Sequence, residues 1–370
     1  MPTEIEQTNL TAKLYAPNDL RMEYLDITEP EDDEVQINIR ATGICGSDLH
    51  YYLHGRLGQR VLVPPRTMIL GHESSGIVTK VGKNVTRFTT GDRVVIEPGR
   101  ACLNCDRCLE GRVNLCSKMN FSTTLAQGPN DGTLREYTCI KEHYCHLMPD
   151  NMTYEQGALM EPIAVAVHSV DRSPTTTGSH VVVIGAGAVG LLVAASAYAK
   201  GATRCVIIDI NPDRLDFAKT YLPQIETILL EPKKTSESEE TSIKWAANQV
   251  QNHLNLDKNT IDVVFECTGV ESCVVLSVHL VRGGGAAMLV GMGKGTCNMP
   301  TDLITTSEIT VLGTFRYSNT HPKAIELVSQ GKIPTKGLVS HKFALKDTLK
   351  ALDLIKNGEK GLIKIQIGDF

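Results

Sequence analysis

The chain has 370 residues, more than one ordinary hydrophobic core accommodates, so two domains are expected. Hydrophobic residues make up 42% and charged residues 21% of it, which is typical of a soluble globular protein and not of a disordered one. The formal net charge of −5 gives no reason to expect nucleic acid or an anionic membrane as a partner.

The N-terminal part of the chain, residues 1–172, is predicted to form a domain of short strands. Strand-like alternation occurs at 35–40, 75–81 and 92–96, with turn residues between these segments. We interpret this part as a compact β-barrel-like domain. The first sixteen residues lack the apolar core of a signal peptide, and no apolar run reaches membrane-spanning length. A cytoplasmic protein without a membrane partner is therefore expected.

Three residues of this part, Cys45, His72 and Glu73, form a candidate catalytic zinc site. A thiol, an imidazole and a carboxylate are the mixture that catalytic zinc uses when one coordination position stays open. Taken alone, each residue is ordinary: a small buried thiol, a loop histidine and a solvated carboxylate. Their occurrence together, upstream of a nucleotide-binding pattern, favours the metal interpretation.

Four further cysteines follow the spacing C-x2-C-x2-C-x7-C. Zinc binds four thiolates in a tetrahedron, and a two-residue gap lets neighbouring sulfurs turn towards one ion. Buried thiols or disulfides are the alternative, but disulfides need an oxidising compartment, and the other seven cysteines are scattered. The pattern predicts a structural zinc site without an open position for substrate. Its ligands are Cys102, Cys105, Cys108 and Cys116.

Residues 173–304 are predicted to form a dinucleotide-binding domain. An apolar strand at 180–184 leads into the pattern G-x-G-x-x-G, formed by Gly185, Gly187 and Gly190, and a helix follows. These glycines allow a tight turn, close approach of a pyrophosphate and close packing of helix on strand. Asp209 ends the next strand, where it can accept both ribose hydroxyls and repel a 2′-phosphate, which favours NAD over NADP. In the alternative interpretation, the glycines serve only to pack the helix on the sheet, and Asp209 is solvated and binds no ribose.

Further strand-like segments at 261–266 and 287–290 complete an alternation of apolar strands and helices. Such alternation indicates a parallel sheet covered on both faces. Residues 231–259 look like an insertion, with a solvated loop followed by a surface helix at 242–254. Residues 305–370 again have the sequence pattern of strands, and the last predicted strand is at 363–367. The predicted fold is α/β plus β, in which a doubly wound domain interrupts a β-barrel domain.

Several motifs are shared with a known enzyme family. The segments are GICGSDLHYY from Gly43, GHESSG from Gly71, MEPIAVAVHS from Met160 and GTFRYSNTHP from Gly313. Together with the metal and nucleotide patterns, they resemble the zinc-dependent medium-chain dehydrogenases, whose GroES-like catalytic domain is interrupted by a Rossmann domain. The resemblance is strongest to the polyol branch, which contains sorbitol, xylitol and L-arabinitol dehydrogenases.

This resemblance implies roles for individual residues of the reactive site. Cys45, His72 and Glu73 would be the ligands of the catalytic zinc. Glu161 stands where simple alcohol dehydrogenases have a cysteine ligand, and in the polyol branch this carboxylate binds the zinc water or exchanges with it. Whether Glu73 or Glu161 ligates directly stays open. Ser47 and His50 would relay the released proton, although His50 could equally be structural. The substrate would be contacted by Tyr51, Glu161, Arg316 and Tyr317.

The resemblance also implies a function and its alternatives. Arg214 would cover the adenine, and the remaining predicted cofactor contacts are Val189, Val290, Gly291, Met292, Phe315 and Arg316. We expect an NAD-dependent enzyme with two zinc ions per chain that oxidises a secondary hydroxyl of sorbitol, xylitol or L-arabinitol, forming a homodimer or homotetramer. A zinc alcohol or butanediol dehydrogenase is the main alternative. A metal-free quinone reductase would lack the three candidate ligands, and the acidic charge disfavours a nucleic-acid-binding zinc module.

Overall fold

A computed structural model of the chain describes residues 8–58, 60–63, 65–123, 131–231, 239–254, 260–293 and 295–369. The strands are β1 Thr8–Ala16, β2 Asp19–Asp26, β3 Glu34–Gly43, β4 Arg56–Leu57, β5 Arg60–Val61, β6 Met68–Ile69, β7 Glu73–Val81, β8 Arg93–Ile96, β9 Gly99–Arg100, β10 Asn120–Phe121, β11 Tyr137–Lys141, β12 Cys145–Leu147, β13 His180–Ile184, β14 Arg204–Asp209, β15 Glu226–Leu229, β16 Val263–Glu266, β17 Ala286–Leu289, β18 Thr310–Gly313, β19 Val339–Phe343 and β20 Lys364–Gly368. The helices are α1 Gly46–His54, α2 Asp106–Leu109, α3 Tyr154–Ala158, α4 Met160–Arg172, α5 Ala188–Lys200, α6 Pro212–Tyr221, α7 Glu239–Leu254, α8 Glu271–Leu280, α9 Thr301–Thr306, α10 His321–Ser329 and α11 Thr348–Lys356.

The chain divides into two compact units. The first contains Met1–Glu161, His321–Ser329 and Val339–Phe370. It is built on a seven-stranded sheet in which β12, β8, β7, β3, β20 and β19 are neighbours in that order and β11 also pairs with β3. Apolar residues of these strands form one buried cluster, among them Val35, Ile37, Val78, Val94 and Ile96. The predicted β-domain of short strands is confirmed.

The second unit contains Pro162–Thr320 and Gln330–Leu338. Its six-stranded sheet has the order β15-β14-β13-β16-β17-β18, and every neighbouring pair is parallel. Parallel neighbours need crossover connections, which the helices of this unit provide. The order corresponds to a doubly wound sheet that reverses direction beside β13. The predicted Rossmann fold is therefore confirmed.

Helix α7, Glu239–Leu254, corresponds to the surface helix predicted at 242–254. Its residues Ile243, Ala247 and Val250 are buried and belong to the same apolar cluster as strands β13, β14 and β16. Their spacing puts all three on one helical face. The helix thus packs on the sheet along one face, in the crossover between β15 and β16, while its other face, with Lys244 and Asn248, is exposed as predicted for a surface helix. Residues 232–238, in the predicted loop, and 255–259 lie outside the described residues.

The C-terminal part of the chain is also more helical than its sequence texture suggested. It contributes α10 and α11 to the first unit besides β19 and β20, whereas β18 completes the parallel sheet of the second unit. The first segment of the first unit ends at Glu161, and the main segment of the second unit ends at Thr320. The sequence predicted these two domain boundaries at residues 172 and 304. Within the part of the chain that the structure describes, no helix is long and apolar enough to span a membrane.

Candidate functional site

The first candidate site lies at the ends of two paired strands. β3 and β7 are antiparallel neighbours, and Gly43 at the end of β3 is opposite Glu73 at the start of β7. Cys45 follows β3 and precedes α1, while His72 directly precedes β7. The pairing therefore brings one ligand atom each of Cys45, His72 and Glu73 within 4.8 Å of one another. This donor set fits zinc with an open fourth position.

A buried carboxylate positions two of these ligands. Asp48 is fully buried and accepts hydrogen bonds from the backbone N–H of Cys45 at 3.0 Å and of Gly71 at 3.1 Å. Its Oδ1 atom is 3.5 Å from Nδ1 of His72. Burial alone would raise the pKa of Asp48, but His72 and the two N–H donors outweigh it and lower the pKa. Asp48 thus orients His72 so that its other nitrogen, Nε2, can bind metal.

Thr123 is a second partner of the same imidazole. Its Oγ1 atom lies 3.2 Å from Nδ1 of His72, and both residues are buried. The backbone φ of Thr123 is 61°, a conformation that β-branched residues rarely adopt. Sequence reasoning missed Asp48 and Thr123. For Asp48 a signal exists, because it is the third residue of α1 after the N-cap Cys45, a position from which a carboxylate accepts the N–H of the N-cap residue.

The carboxylate of Glu73 is paired with a lysine from the far end of the chain. Nζ of Lys364 lies 2.6 Å from Oε1 and 2.5 Å from Oε2 of Glu73, and both side chains are buried. Burial would lower the pKa of Lys364, but the charge of Glu73, followed by that of Cys45, outweighs it and raises the pKa. A Cβ atom at Gly43 would lie 2.1 Å from Oε2 of Glu73, so any larger residue there would displace this carboxylate from its present position. Sequence reasoning missed Lys364, although one lysine between two isoleucines of an apolar strand is a usable signal.

The other candidate residues of the first unit lie on α1 and at the start of α4. On α1, Ser47 is half-buried, His50 is exposed and Tyr51 is fully buried in a second apolar cluster of this unit, which also contains Leu14 and Leu70. Glu161 is buried in the first turn of α4. It contributes to the raised pKa of Lys364, after larger effects from burial, Glu73 and Cys45. It is not part of the group formed by Cys45, His72 and Glu73.

The four-cysteine loop forms a second donor group. The Sγ atoms of Cys105 and Cys108 are 3.5 Å apart, as are those of Cys102 and Cys116, and Cys102 and Cys108 are 3.9 Å apart. Tetrahedral zinc with bonds of about 2.3 Å requires sulfurs roughly 3.8 Å apart, so the loop fits this ion. The eleven cysteines are all free thiols, so no disulfide competes for these sulfurs.

In the second unit, the glycine-rich turn leaves room for a phosphate group. Gly185 has φ of 103°, which favours glycine, and a Cβ atom at Gly190 would lie 1.9 Å from the carbonyl oxygen of Gly185. A Cβ atom at Gly187 would meet nothing within 4 Å. Since Gly187 caps α5, the space in front of it faces the free N–H groups of the helix N-terminus.

Asp209 links this turn to the next strand. Its Oδ2 atom accepts a hydrogen bond from the N–H of Ala186 at 2.7 Å, and its Oδ1 atom accepts one from Asn211 at 2.9 Å. Nη1 of Arg214 is 3.9 Å from Oδ2. Each carboxylate oxygen has a further lone pair, so the group can still receive ribose hydroxyls. The adjacent Ile210 is 70% exposed, so substitutions there are tolerated sterically.

The remaining candidate cofactor residues follow the carboxyl ends of neighbouring parallel strands. Val290, Gly291 and Met292 come directly after β17, and Phe315 and Arg316 follow β18. Ligands of doubly wound sheets bind at this edge. Val189 is in the first turn of α5. The guanidinium group of Arg316 lies over the ring of Phe315, 4.7 Å from its centroid, and Tyr317 is buried.

Comparison with known proteins places the chain in a family. The family model "Alcohol dehydrogenase GroES-like domain" matches residues 31–150, and the model "Zinc-binding dehydrogenase" matches residues 188–330. The chain is 40% identical over 353 residues to "Probable D-xylulose reductase A" of Aspergillus terreus, covering 95% of this chain and 96% of that protein.

Solved structures agree with this assignment. An oxidoreductase/dehydrogenase of unknown specificity from Escherichia coli has a TM-score of 0.88 at 31% identity, covering 98% of this chain and 99% of the other. A zinc-binding dehydrogenase from Sinorhizobium meliloti, bound to NADP, has a TM-score of 0.84 at 27% identity, with coverage of 98% and 99%. The chain therefore belongs to the zinc-dependent medium-chain dehydrogenases and, within them, to the polyol branch that its sequence motifs predicted.

Proposed function

We propose that this protein is an NAD-dependent zinc polyol dehydrogenase that oxidises a secondary hydroxyl of a sugar alcohol to a ketose. The observation that carries this proposal is the group of Cys45, His72 and Glu73, whose ligand atoms lie within 4.8 Å of one another. The name of the Aspergillus terreus relative supports the substrate class, since reduction of a ketopentose is the reverse of pentitol oxidation. Sorbitol, xylitol and L-arabinitol are the candidate substrates.

Different residues of the first unit are proposed to bind the metal, orient its ligands and contact the substrate. Zinc held by Cys45, His72 and Glu73 would lower the pKa of a substrate hydroxyl, while NAD would accept hydride from the same carbon. Asp48 keeps His72 in the orientation that binds metal. Glu161 is proposed to bind a neighbouring hydroxyl of the substrate.

The remaining roles follow the family resemblance. Ser47 and His50 are proposed to carry the released proton towards solvent, in keeping with the exposure of His50. Tyr51, Arg316 and Tyr317 are proposed to bind the rest of the polyol chain. Arg214 and the residues after β17 and β18 are proposed to hold the cofactor.

Asp209 supports the choice of NAD over NADP. Its carboxylate ends β14 beside the glycine-rich turn, where it would repel a 2′-phosphate. The Sinorhizobium meliloti relative is bound to NADP, so the argument for NAD in this chain rests on the local charge of Asp209 and not on the fold. We further propose a homodimer or homotetramer that acts in the cytoplasm, where free thiols are stable.

Initial rates test the proposal directly. The purified enzyme is assayed with NAD on sorbitol, xylitol, L-arabinitol, 2,3-butanediol and ethanol, with NADP in parallel. We expect one of the three polyols to give the highest kcat/KM. Faster turnover of ethanol or butanediol than of every polyol would show that the substrate class is wrong.

The variant Glu161→Gln tests the substrate contact. It is expected to keep zinc within about 10–100-fold of native affinity, because the carboxylate supports the site and is not one of its three grouped ligands. Polyol kcat/KM should fall much further, while NAD affinity stays unchanged. His72→Ala is the comparison and should lose both catalytic zinc and activity. Full polyol turnover by Glu161→Gln would contradict the role given to Glu161.

A further inference from the structure

The first unit contains a third group of potential metal ligands that shares no residue with the two zinc sites. Its members are Glu97, His146 and His321, and one ligand atom of each lies within 4.8 Å of the others. Glu97 directly follows β8, His146 is the middle residue of β12, and His321 begins α10. Three segments that are distant in the sequence therefore meet at one point. His321 lies in the segment GTFRYSNTHP, but none of the three residues was predicted to bind a metal.

The two imidazoles converge on one carboxylate oxygen. Nε2 of His146 is 2.9 Å from Oε2 of Glu97, and Nδ1 of His321 is 3.5 Å from the same oxygen. The rings are stacked, with centroids 5.2 Å apart and an angle of 6° between their planes. Zinc bonds of about 2.0–2.2 Å place neighbouring tetrahedral ligands roughly 3.3–3.5 Å apart. For one ion to contact all three groups, the neutral imidazole of His146 would carry its proton on Nδ1 in place of Nε2, and the two stacked rings would turn towards the ion.

The charge states of the group suit metal binding. His321 is fully buried, and burial lowers its pKa to about 4, so its imidazole is neutral at physiological pH. Burial would raise the pKa of Glu97, but the hydrogen bond with His146 opposes this effect, and the pKa is lowered overall. A neutral imidazole and an ionised carboxylate are the forms that ligate metals. His146 and Glu97 keep side-chain exposures of 16% and 13%, which leaves the group open to solvent on one side.

We propose that Glu97, His146 and His321 form a third metal site, which binds a divalent cation of the zinc class with water in the open position. Two imidazoles favour zinc, copper, nickel or iron over magnesium and calcium, which prefer oxygen ligands. Bound there, the ion would fasten α10 to the sheet strands β8 and β12. The site stabilises the first unit and takes no part in turnover, so it is independent of the polyol activity proposed above.

Zinc titration of the holoenzyme tests this site. Full-length protein with both other sites filled is titrated with zinc against a competing indicator dye. We expect the wild type to bind one further equivalent. His321→Phe and His146→Gln should lose it or bind it at least tenfold more weakly. His143→Gln, which changes an exposed histidine just before β12, is the matched control and should retain it.

Two further readouts separate a metal site from a simple hydrogen-bonded cluster. A third equivalent of Co²⁺ should give ligand-field bands without thiolate charge transfer, because the site contains no sulfur. Added zinc should raise the melting temperature of the wild type and of His143→Gln, but not of the other two variants. If His321→Phe does not fold, His146→Gln, at a partly exposed position, decides the question. Absence of a third equivalent, or equal binding by all four proteins, would overturn the proposal.

Discussion

At the scale of single residues, Lys364 controls the charge at the candidate catalytic zinc site. Its ammonium group contacts both carboxylate oxygens of Glu73 in a buried environment. The negative charge of Glu73 therefore has a positive partner whether or not a metal ion is bound. Its pKa is raised above the ordinary value of 10.5. For a lysine, a raised pKa means that the stabilisation is complete below the ordinary pKa and disappears only as the pH rises above the raised value. The pair therefore persists throughout the neutral range.

Replacing Lys364 by methionine should destabilise the metal-free protein more than the zinc-loaded protein. Without lysine or metal, the buried carboxylate of Glu73 has no counter-charge, which costs about 3–5 kcal/mol. Zinc would supply part of that charge. We expect the melting temperature of Lys364→Met to fall strongly in chelator and less in zinc.

Lys342→Met is the control for this experiment, because it removes an exposed pair with Glu155 worth about 0–1 kcal/mol. Its small loss should not depend on zinc. An equal loss for Lys364→Met in chelator and in zinc would show that Glu73 does not share its charge with the metal.

Asp209 permits a second residue-scale prediction, about cofactor choice. The double variant Asp209→Ser with Ile210→Arg removes the repulsive carboxylate and adds a cation at an exposed position. Serine retains an acceptor for the N–H of Ala186. The ratio of kcat/KM for NADP to that for NAD should rise at least tenfold, or about 1.4 kcal/mol.

Asp216→Ser, on the exposed face of α6, should leave that ratio unchanged. If the double variant behaves like this control, Asp209 does not contact the ribose.

At the scale of elements, both donor groups depend on short connections. The group of Cys45, His72 and Glu73 is formed where β3 ends beside the start of β7. The four-cysteine group is formed within one loop, whose regular structure is the single-turn helix α2 and a short 3₁₀ segment, Val113–Leu115. Leu103, Leu109 and Leu115 are exposed, so this loop buries little apolar surface of its own. Its fold therefore depends on the metal.

Cys105→Ser should remove structural zinc and lower stability. We expect zinc content to fall by one ion per chain and the melting temperature to fall by roughly 5 °C or more, since about 1 kcal/mol corresponds to 2–4 °C for a domain of this size. Cys297→Ser, an exposed thiol outside the loop, is the matched control and should change neither quantity. Unchanged zinc content in Cys105→Ser would contradict the assignment of this loop.

At the scale of the whole molecule, local spacing predicted the fold and most candidate ligands. The cysteine loop and the glycine-rich turn each lie within one short segment, so their spacing alone identifies them. Lys364 was not predictable in this way, because it lies 291 residues from its partner Glu73. The same holds for Thr123, which is 51 residues from His72. Such partners become neighbours only through strand pairing and loop closure.

The position of β20 has a consequence for how the molecule is made. This last strand lies inside the sheet of the first unit, between β3 and β19, and Gln366 pairs with Gly43. During synthesis on the ribosome, the sequence of the second unit is complete while that sheet still lacks an inner strand. Since domains generally fold as units, the second unit can fold before β20 is synthesised, whereas the sheet of the first unit cannot be completed until then. The nucleotide-binding unit can therefore fold before the strand that carries Lys364 reaches its place beside Glu73.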